Sequence, residues 1–272
     1  MDRHWQLHVL GCRGSIPVSG KEYMEFGGAT SCYVLRRGSY AIVIDCGTGL
    51  YRAGPLLRDC TQIDVLLTHI HYDHILGLLE PAAFPPEAEV RFFSQFEQWF
   101  GRQTFTRFMS SPFWPYDSMQ RFSENLHHVD SPGRVALRQE AEVLFHPSVH
   151  PDSASVLRIR TDEGDVAVFF DYEYKGAFPE HMARGARFLL YDAMYTLDEY
   201  LTHRGWGHSC WEIGCEIAKS LGVGQLIITH HAPEKTDDDL RALEAEAKSR
   251  FQTCHFARCG DVYSLAEGAE MA

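Results

Sequence analysis

Leu67-Thr68-His69-Ile70-His71-Tyr72-Asp73-His74 decides how this chain is read. Ile63 to Leu67 reads as a buried strand. It stops at Thr68, and four side chains able to hold a metal follow within six positions. His69 and His71 stand two apart in an extended turn, so both can aim at one ion. Asp73 and His74 follow where the chain turns into a helix, and they can aim at a second. Neutral imidazole and carboxylate are the donor set of zinc, iron or manganese. A cluster of surface histidines would be the bland alternative, but it does not account for four donors following an apolar strand.

Outward from this stretch the chain alternates strands with turns. Trp5, Leu7 and Val9 have the period of a half-buried strand. A loop follows at Gly11-Cys12-Arg13-Gly14-Ser15. Thr30 to Leu35 and Tyr40 to Asp45 read as strands joined at Arg37-Gly38-Ser39, with a short helix from Leu50. In the second half Val143 to Phe145, Ser155 to Ile159, Val166 to Phe170, Arg187 to Asp192 and Gln225 to Thr229 read as strands. Ser155 to Phe170 forms a hairpin around Glu163-Gly164. A helix is predicted from Ser209 to Leu221, stopped by Gly222, and another from Asp237 to Phe251. The fold class is therefore α/β. Two β-then-α halves pack sheet on sheet with helices outside, in one domain spanning 1–272.

An aromatic-rich helical insert is expected at about 92–122. Phe92, Phe96, Trp99 and Phe100 have helical spacing, and Ser110-Ser111-Pro112 breaks it. Such a segment either packs on the body or on a second copy, which would make a homodimer, or covers the site as a lid that excludes water.

The quoted stretch resembles the H-x-H-x-D-H motif of the metallo-β-lactamase superfamily, and the resemblance extends from Gly11 to about Asp239. It implies a four-layer αββα sandwich and a two-metal site. One ion takes His69, His71 and a third His. The other takes Asp73, His74 and a last His, and a later Asp bridges the two. For the third His, His146 and His150 are both followed by Pro; His150-Pro151-Asp152-Ser153, placed before the hairpin, fits the family pattern better. Asp171, after Val166 to Phe170, is the bridging candidate, with a helix cap as its structural alternative and Asp192 as competitor. His230 directly follows Leu226 to Thr229 and is preferred over His231. Asp45, in Asp45-Cys46-Gly47-Thr48-Gly49, resembles the residue that supports the ligand loop by hydrogen bonds rather than binding metal itself.

Gly205-Trp206-Gly207-His208-Ser209 resembles a segment of ribonuclease Z and of the cyclic-phosphate phosphodiesterases near it, as do Gly11 to Ser15 and Gly27 to Cys32, with Ala29 standing where Asn is more usual. In that branch the His approaches the scissile phosphate, which gives His208 a catalytic role; a helix-capping or core role is its alternative. The resemblance implies a binuclear hydrolase, in which water activated between two divalent ions attacks phosphorus. Asp73 orients that water, and His208 assists the leaving oxygen. Zinc is the default metal, with manganese and iron open. The same metal shell supports carboxylic ester, lactone or thioester hydrolysis. Di-iron electron transfer and β-lactam hydrolysis fit less well, and a degenerate binding scaffold would need missing ligands.

Composition narrows the partners. With 25 basic and 37 acidic residues the net charge is −12, and no basic run offers a face for long nucleic acid. The basic arm with which ribonuclease Z grips transfer RNA has no counterpart here, so a small-molecule phosphodiester is expected as substrate. No apolar run reaches the roughly 18 residues of a membrane span. The start has no secretory pattern, and the eight cysteines include no C-x-x-C pair. A cytoplasmic protein with free thiols is expected.

Overall fold

The computed structural model describes residues 3–95 and 101–266. Strands Gln6–Gly11 (β1), Cys32–Arg37 (β2), Tyr40–Ile44 (β3), Gln62–Leu66 (β4), Glu89–Ser94 (β5) and Leu126–His128 (β6) build a first sheet. Strands Gly133–Ala136 (β7), Glu142–Pro147 (β8), Ser155–Thr161 (β9), Gly164–Phe169 (β10), Phe188–Asp192 (β11), Gln225–Thr229 (β12) and Cys254–Phe256 (β13) build a second. The last strand, Val262–Ser264 (β14), returns to the first sheet and pairs antiparallel with β1. Among the described residues each sheet thus has seven strands, ordered β14-β1-β2-β3-β4-β5-β6 and β13-β12-β11-β10-β9-β8-β7. The final crossing departs from two self-contained halves, since the first sheet is completed by the end of the chain.

Strand alternation explains the layers. Tyr40, Ile42 and Ile44 of β3 face Val143, Ile159, Val166, Val168 and Leu190 across one core between the sheets. The alternate residues Ala41 and Val43 face outward, into a core shared with Leu50, Leu57 and Phe92. On the second sheet Leu189, Tyr191, Leu226 and Ile228 pack beneath the helix Trp211–Leu221. Sheet on sheet with apolar residues on both faces of each is the four-layer α/β sandwich. The helix Trp211–Leu221 stops because Gly222 takes the left-handed conformation at φ 66°. The helix Asp237–Arg250 opens on Thr236, whose side chain and that of Asp239 cap each other's backbone amides.

The aromatic segment corrects the sequence reading. Phe92 and Phe93 belong to β5, parallel to β4, and are buried. A short apolar run next to a parallel strand cannot be told from a helix by periodicity alone. Phe96, Trp99 and Phe100 lie outside the described residues. A helix does form at Gly101–Phe108, and a 3₁₀ turn follows at Gln120–Asn125. Phe105, Met109, Met119 and Phe122 pack into the outer core of the first sheet. The cysteines are all free thiols, and no helix among the described residues is long and apolar enough to cross a membrane.

Candidate metal centre

Parallel strands deliver the polar residues to one edge. β3 and β4 run parallel, as do β10, β11 and β12. Their carboxyl ends carry Asp45, Thr68-His69, Asp171, Asp192 and His230, each at or just past the last paired residue. Ligands of α/β sheets gather at the carboxyl ends of strands. Asp45, Asp171 and His230 all leave their strands with positive φ, at 54°, 47° and 59°. Left-handed backbone at residues other than glycine costs on the order of 1 kcal/mol or more and collects at functional sites.

Around Asp171 the side chains converge. Its Oδ2 lies 3.5 Å from His69 Nε2 and 3.5 Å from His150 Nε2. Its Oδ1 lies 3.0 Å from His74 Nε2 and 3.2 Å from His230 Nε2. Asp73 Oδ2 is 3.3 Å from His74 Nε2 and 3.2 Å from His230 Nε2. Among the described residues the donors form three groups, each with its atoms within 4.8 Å of one another: His69, His71, His150 and Asp171; Asp73, His74 and His230; and Asp171, Asp192, His208 and His230, the last overlapping the other two at Asp171 and His230. Asp171 turns one oxygen to each of the first two.

This donor set fits divalent ions. Two ligand atoms at ~2.0–2.2 Å on one tetrahedral ion lie roughly 3.3–3.5 Å apart, the spacing of Asp171 Oδ2 from His69 and His150. His69 Nε2 and Asp171 Oδ1 are buried with no hydrogen-bond partner, and buried polar atoms normally have one. Asp45, Asp73, Asp171 and Asp192 are buried together at 0–6% exposure, which requires positive charge nearby. Ionisation follows the same logic. Burial opposes charge on Asp171 and Asp73, yet the neighbouring imidazoles His230 and His74 hold both carboxyls below their usual range. Burial also opposes charge on His74, and Asp73, Asp171 and Asp45 outweigh it and raise its pKa. His69 and His150 are pushed down by burial, His150 to about 4, so both are neutral and ready to donate a lone pair at pH 7.

Supporting contacts fix the donors. Asp45 Oδ2 accepts from His74 Nδ1 at 2.7 Å and from the Thr68 hydroxyl at 2.8 Å, while its Oδ1 accepts from the Thr68 amide. This is the expected support for the ligand loop, orienting His74 so that Nε2 faces the cluster. The Ser15 amide donates to Asp73 Oδ2 at 2.8 Å. His208 Nδ1 donates to Asp192 Oδ2 at 2.7 Å, and the His208 ring stacks on His230 with centroids 4.8 Å apart. Burial disfavours the imidazolium of His208, but Asp192 outweighs it and lifts the pKa to about 9.

Of the paired candidates, the structure brings His150 and His230 to the cluster. His146 sits in β8 next to Phe145, which faces the inter-sheet core, bonds the adjacent Pro147 carbonyl and packs against His181. His231 donates from Nε2 to the Ala257 carbonyl and packs on Phe256. Two residues had no role assigned from the sequence. Asp152 lies 2.9 Å from His71 Nε2 at the exposed rim. Glu173 is buried and accepts from the amides of Gly205 at 2.7 Å and Gly207 at 3.4 Å, clamping the loop that carries His208. No sequence pattern marks it, because its partners lie some thirty residues away.

A cavity of about 480 Å³ opens over the cluster. Ser15, His69, Asp73, Asp171, His208 and His230 line it, with Ile70, Tyr72, Phe105 and Phe108 as apolar wall.

Comparison with known proteins agrees with this architecture. The chain is 25% identical over 268 residues to the protein named probable metallo-hydrolase YhfI of Bacillus subtilis, covering 95% of this chain and 99% of that one. It is 24% identical over 294 residues to ribonuclease Z of Methanopyrus kandleri, covering 96% and 98%. The crystal structure of YhfI superposes with a TM-score of 0.74 at 20% identity, over 97% of this chain and 100% of that one. A diphosphatase of the PhnP family superposes at 0.66 and 20% identity, over 96% and 97%. The model of the beta-lactamase superfamily domain matches residues 40–231. That match spans β3 to the last cluster histidine, and this chain therefore belongs to the beta-lactamase superfamily.

Proposed function

We propose that this chain is a metal-dependent phosphodiesterase acting on a small or cyclic phosphodiester, with two zinc ions as its working metals. His69, His71, His150 and Asp171 would hold one ion, and Asp73, His74 and His230, with Asp171 shared, would hold the second. Bound there, divalent ions would supply Lewis acidity toward the phosphoryl oxygens and would lower the pKa of water at the site. Asp73, kept ionised and fixed by the Ser15 amide, orients the attacking water. His208 lines the same cavity and stands ready on the other side of the reaction. With Nδ1 committed to Asp192, its Nε2 gives a proton to the departing ester oxygen as the phosphorus–oxygen bond breaks.

The observation that carries this reading is the Asp192–His208 pair stacked against His230. A carboxylate-oriented imidazole beside the donor cluster suits a poor alkoxide leaving group. The naming of relatives as ribonuclease Z and as a PhnP-family diphosphatase supports chemistry at phosphorus. The cavity volume suits a small substrate rather than a folded RNA, and the charge of −12 argues the same way. We place the protein in the cytoplasm.

The test is a substrate screen on purified protein after metal analysis, with bis(4-nitrophenyl) phosphate, a lactone and a thioester side by side. Turnover of the phosphodiester well above the other two is the expected result. Hydrolysis of the lactone or thioester with an inert phosphodiester would replace this reading by carbon–oxygen or carbon–sulfur ester hydrolysis on the same donors.

A further inference from the structure

The cavity over the donor cluster is two-faced. Its polar face is the cluster itself with Ser15, His208 and Asp171. Its apolar face is built from two separate elements. Ile70, Tyr72 and Ile75 come from the ligand loop and the short helix Tyr72–Ile75. Phe105 and Phe108 come from the helix Gly101–Phe108, where a spacing of three puts them on one face. Phe105 is fully buried, so this wall is anchored in the protein core.

The apolar face continues outward. Tyr72, 60% exposed, meets Phe108 edge-on at 6.4 Å. Phe108 in turn packs against Phe113, 56% exposed, at 5.4 Å. An aromatic strip therefore runs from the cluster to the surface. Among the described residues no lysine or arginine lines the cavity, and the charged side chain at its rim is the Asp152 carboxylate.

We infer that the cavity takes a phosphodiester with one apolar ester group, aryl or alkyl, seated on Ile70, Tyr72, Phe105 and Phe108. This rests on the phosphodiesterase reading for the position of the phosphorus. The apolar group gains by leaving water for a wall that is already formed.

The experiment holds the anion constant and varies only apolar area. Dimethyl, dibutyl and diphenyl phosphate are titrated calorimetrically into the zinc-loaded protein. Burial of the three added methylenes of one butyl chain corresponds to roughly tenfold or more in affinity, so dibutyl and diphenyl phosphate should bind at least tenfold tighter than dimethyl phosphate. Phe108→Ala should collapse this ratio toward one, and Phe108→Leu should keep most of it. Elemental analysis showing wild-type metal content in both variants establishes that the site is intact. Equal affinity for the three esters, no measurable binding of any, or a ratio untouched by Phe108→Ala overturns the inference. The failures separate: bis(4-nitrophenyl) phosphate turnover with a flat affinity series removes the apolar subsite and keeps the phosphodiesterase. A steep series without turnover does the reverse.

Discussion

His208 is oriented by Asp192: its Nδ1 lies 2.7 Å from Asp192 Oδ2, at the carboxyl end of β11, and its ring lies flat against His230. The Asp192 carboxylate also accepts from the Tyr172 and Met194 amides, so it cannot swing away to follow another partner. The proposed proton donor is thereby tied to the strand next to Asp171. The consequence is a leaving-group test. His208→Ala should cost roughly 10²–10⁴ in kcat on an alkyl or cyclic phosphodiester, and less than about tenfold on a 4-nitrophenyl ester, whose leaving group needs no proton. Metal content should stay at the wild-type level. Equal losses on both substrates would mean that His208 positions the substrate without protonating it.

Asp171 faces four imidazoles with its two oxygens. Asp171→Ala removes the shared carboxylate and should lower bound metal by at least one ion per chain, read by elemental analysis after dialysis. Full retention of two ions would move the bridging role to Asp192.

Glu173 and Gly207 control the approach of the 205–208 loop. At Gly207, with φ +91°, an added Cβ would stand 2.3 Å from His150 Cδ2. Gly207→Ala should therefore displace His150 and weaken metal binding, by about tenfold or more, in a competition titration with a chelator. Glu173→Gln leaves that packing alone but loses a charged acceptor for two amides. It should lower kcat on an alkyl diester with metal affinity and KM little changed. A fall in metal affinity equal to that of Gly207→Ala would assign Glu173 a purely structural role.

Stability should fall in acid through Glu244. Burial works against its charge, and Arg258, the Phe256 amide and Lys248 outweigh it and hold the carboxyl at about 2. Because the folded pKa lies below the unfolded one, the contribution is complete above pH ~4.5 and disappears as pH falls toward 2. It should amount to on the order of 2 kcal/mol at pH 7. Glu244→Gln should lower the urea midpoint at pH 7 and flatten its pH dependence between 5 and 2; an unchanged slope would exclude this pair as an acid-sensitive element.

A buried charge beneath the first sheet makes a further prediction. Asp64, fully buried in β4, binds Arg91 through two hydrogen bonds of 2.8 Å, Arg138 at 3.0 Å and the Tyr40 hydroxyl at 2.6 Å. Asp64→Ala leaves two guanidinium groups without their common partner and should cost about 3–5 kcal/mol in denaturant unfolding. A loss below 1 kcal/mol would show that solvent reaches these groups.

The sequence by itself determined whatever local pattern encodes. Apolar runs marked the main strands, and Gly222 marked a helix end where the structure has it. The spacing His69-x-His71-x-Asp73-His74 put four donors at one strand end, and Gly-His-Ser drew attention to His208. Tertiary structure decided what depends on direction and distance. His146 and His150 both precede proline, but His146 lies inside β8, where strand pairing turns it away toward His181, and His150 stands beyond the strand. His230 and His231 are adjacent, and only the left-handed turn at His230 sends the first to Asp171 and the second to Ala257. Phe92 and Phe93 read as helix because an apolar run carries no record of its partner; pairing with β4 made them strand. Glu173 and β14 were invisible for the same reason. A hydrogen bond to an amide or a strand edge far along the chain leaves no local period, and only the folded chain brings the two together.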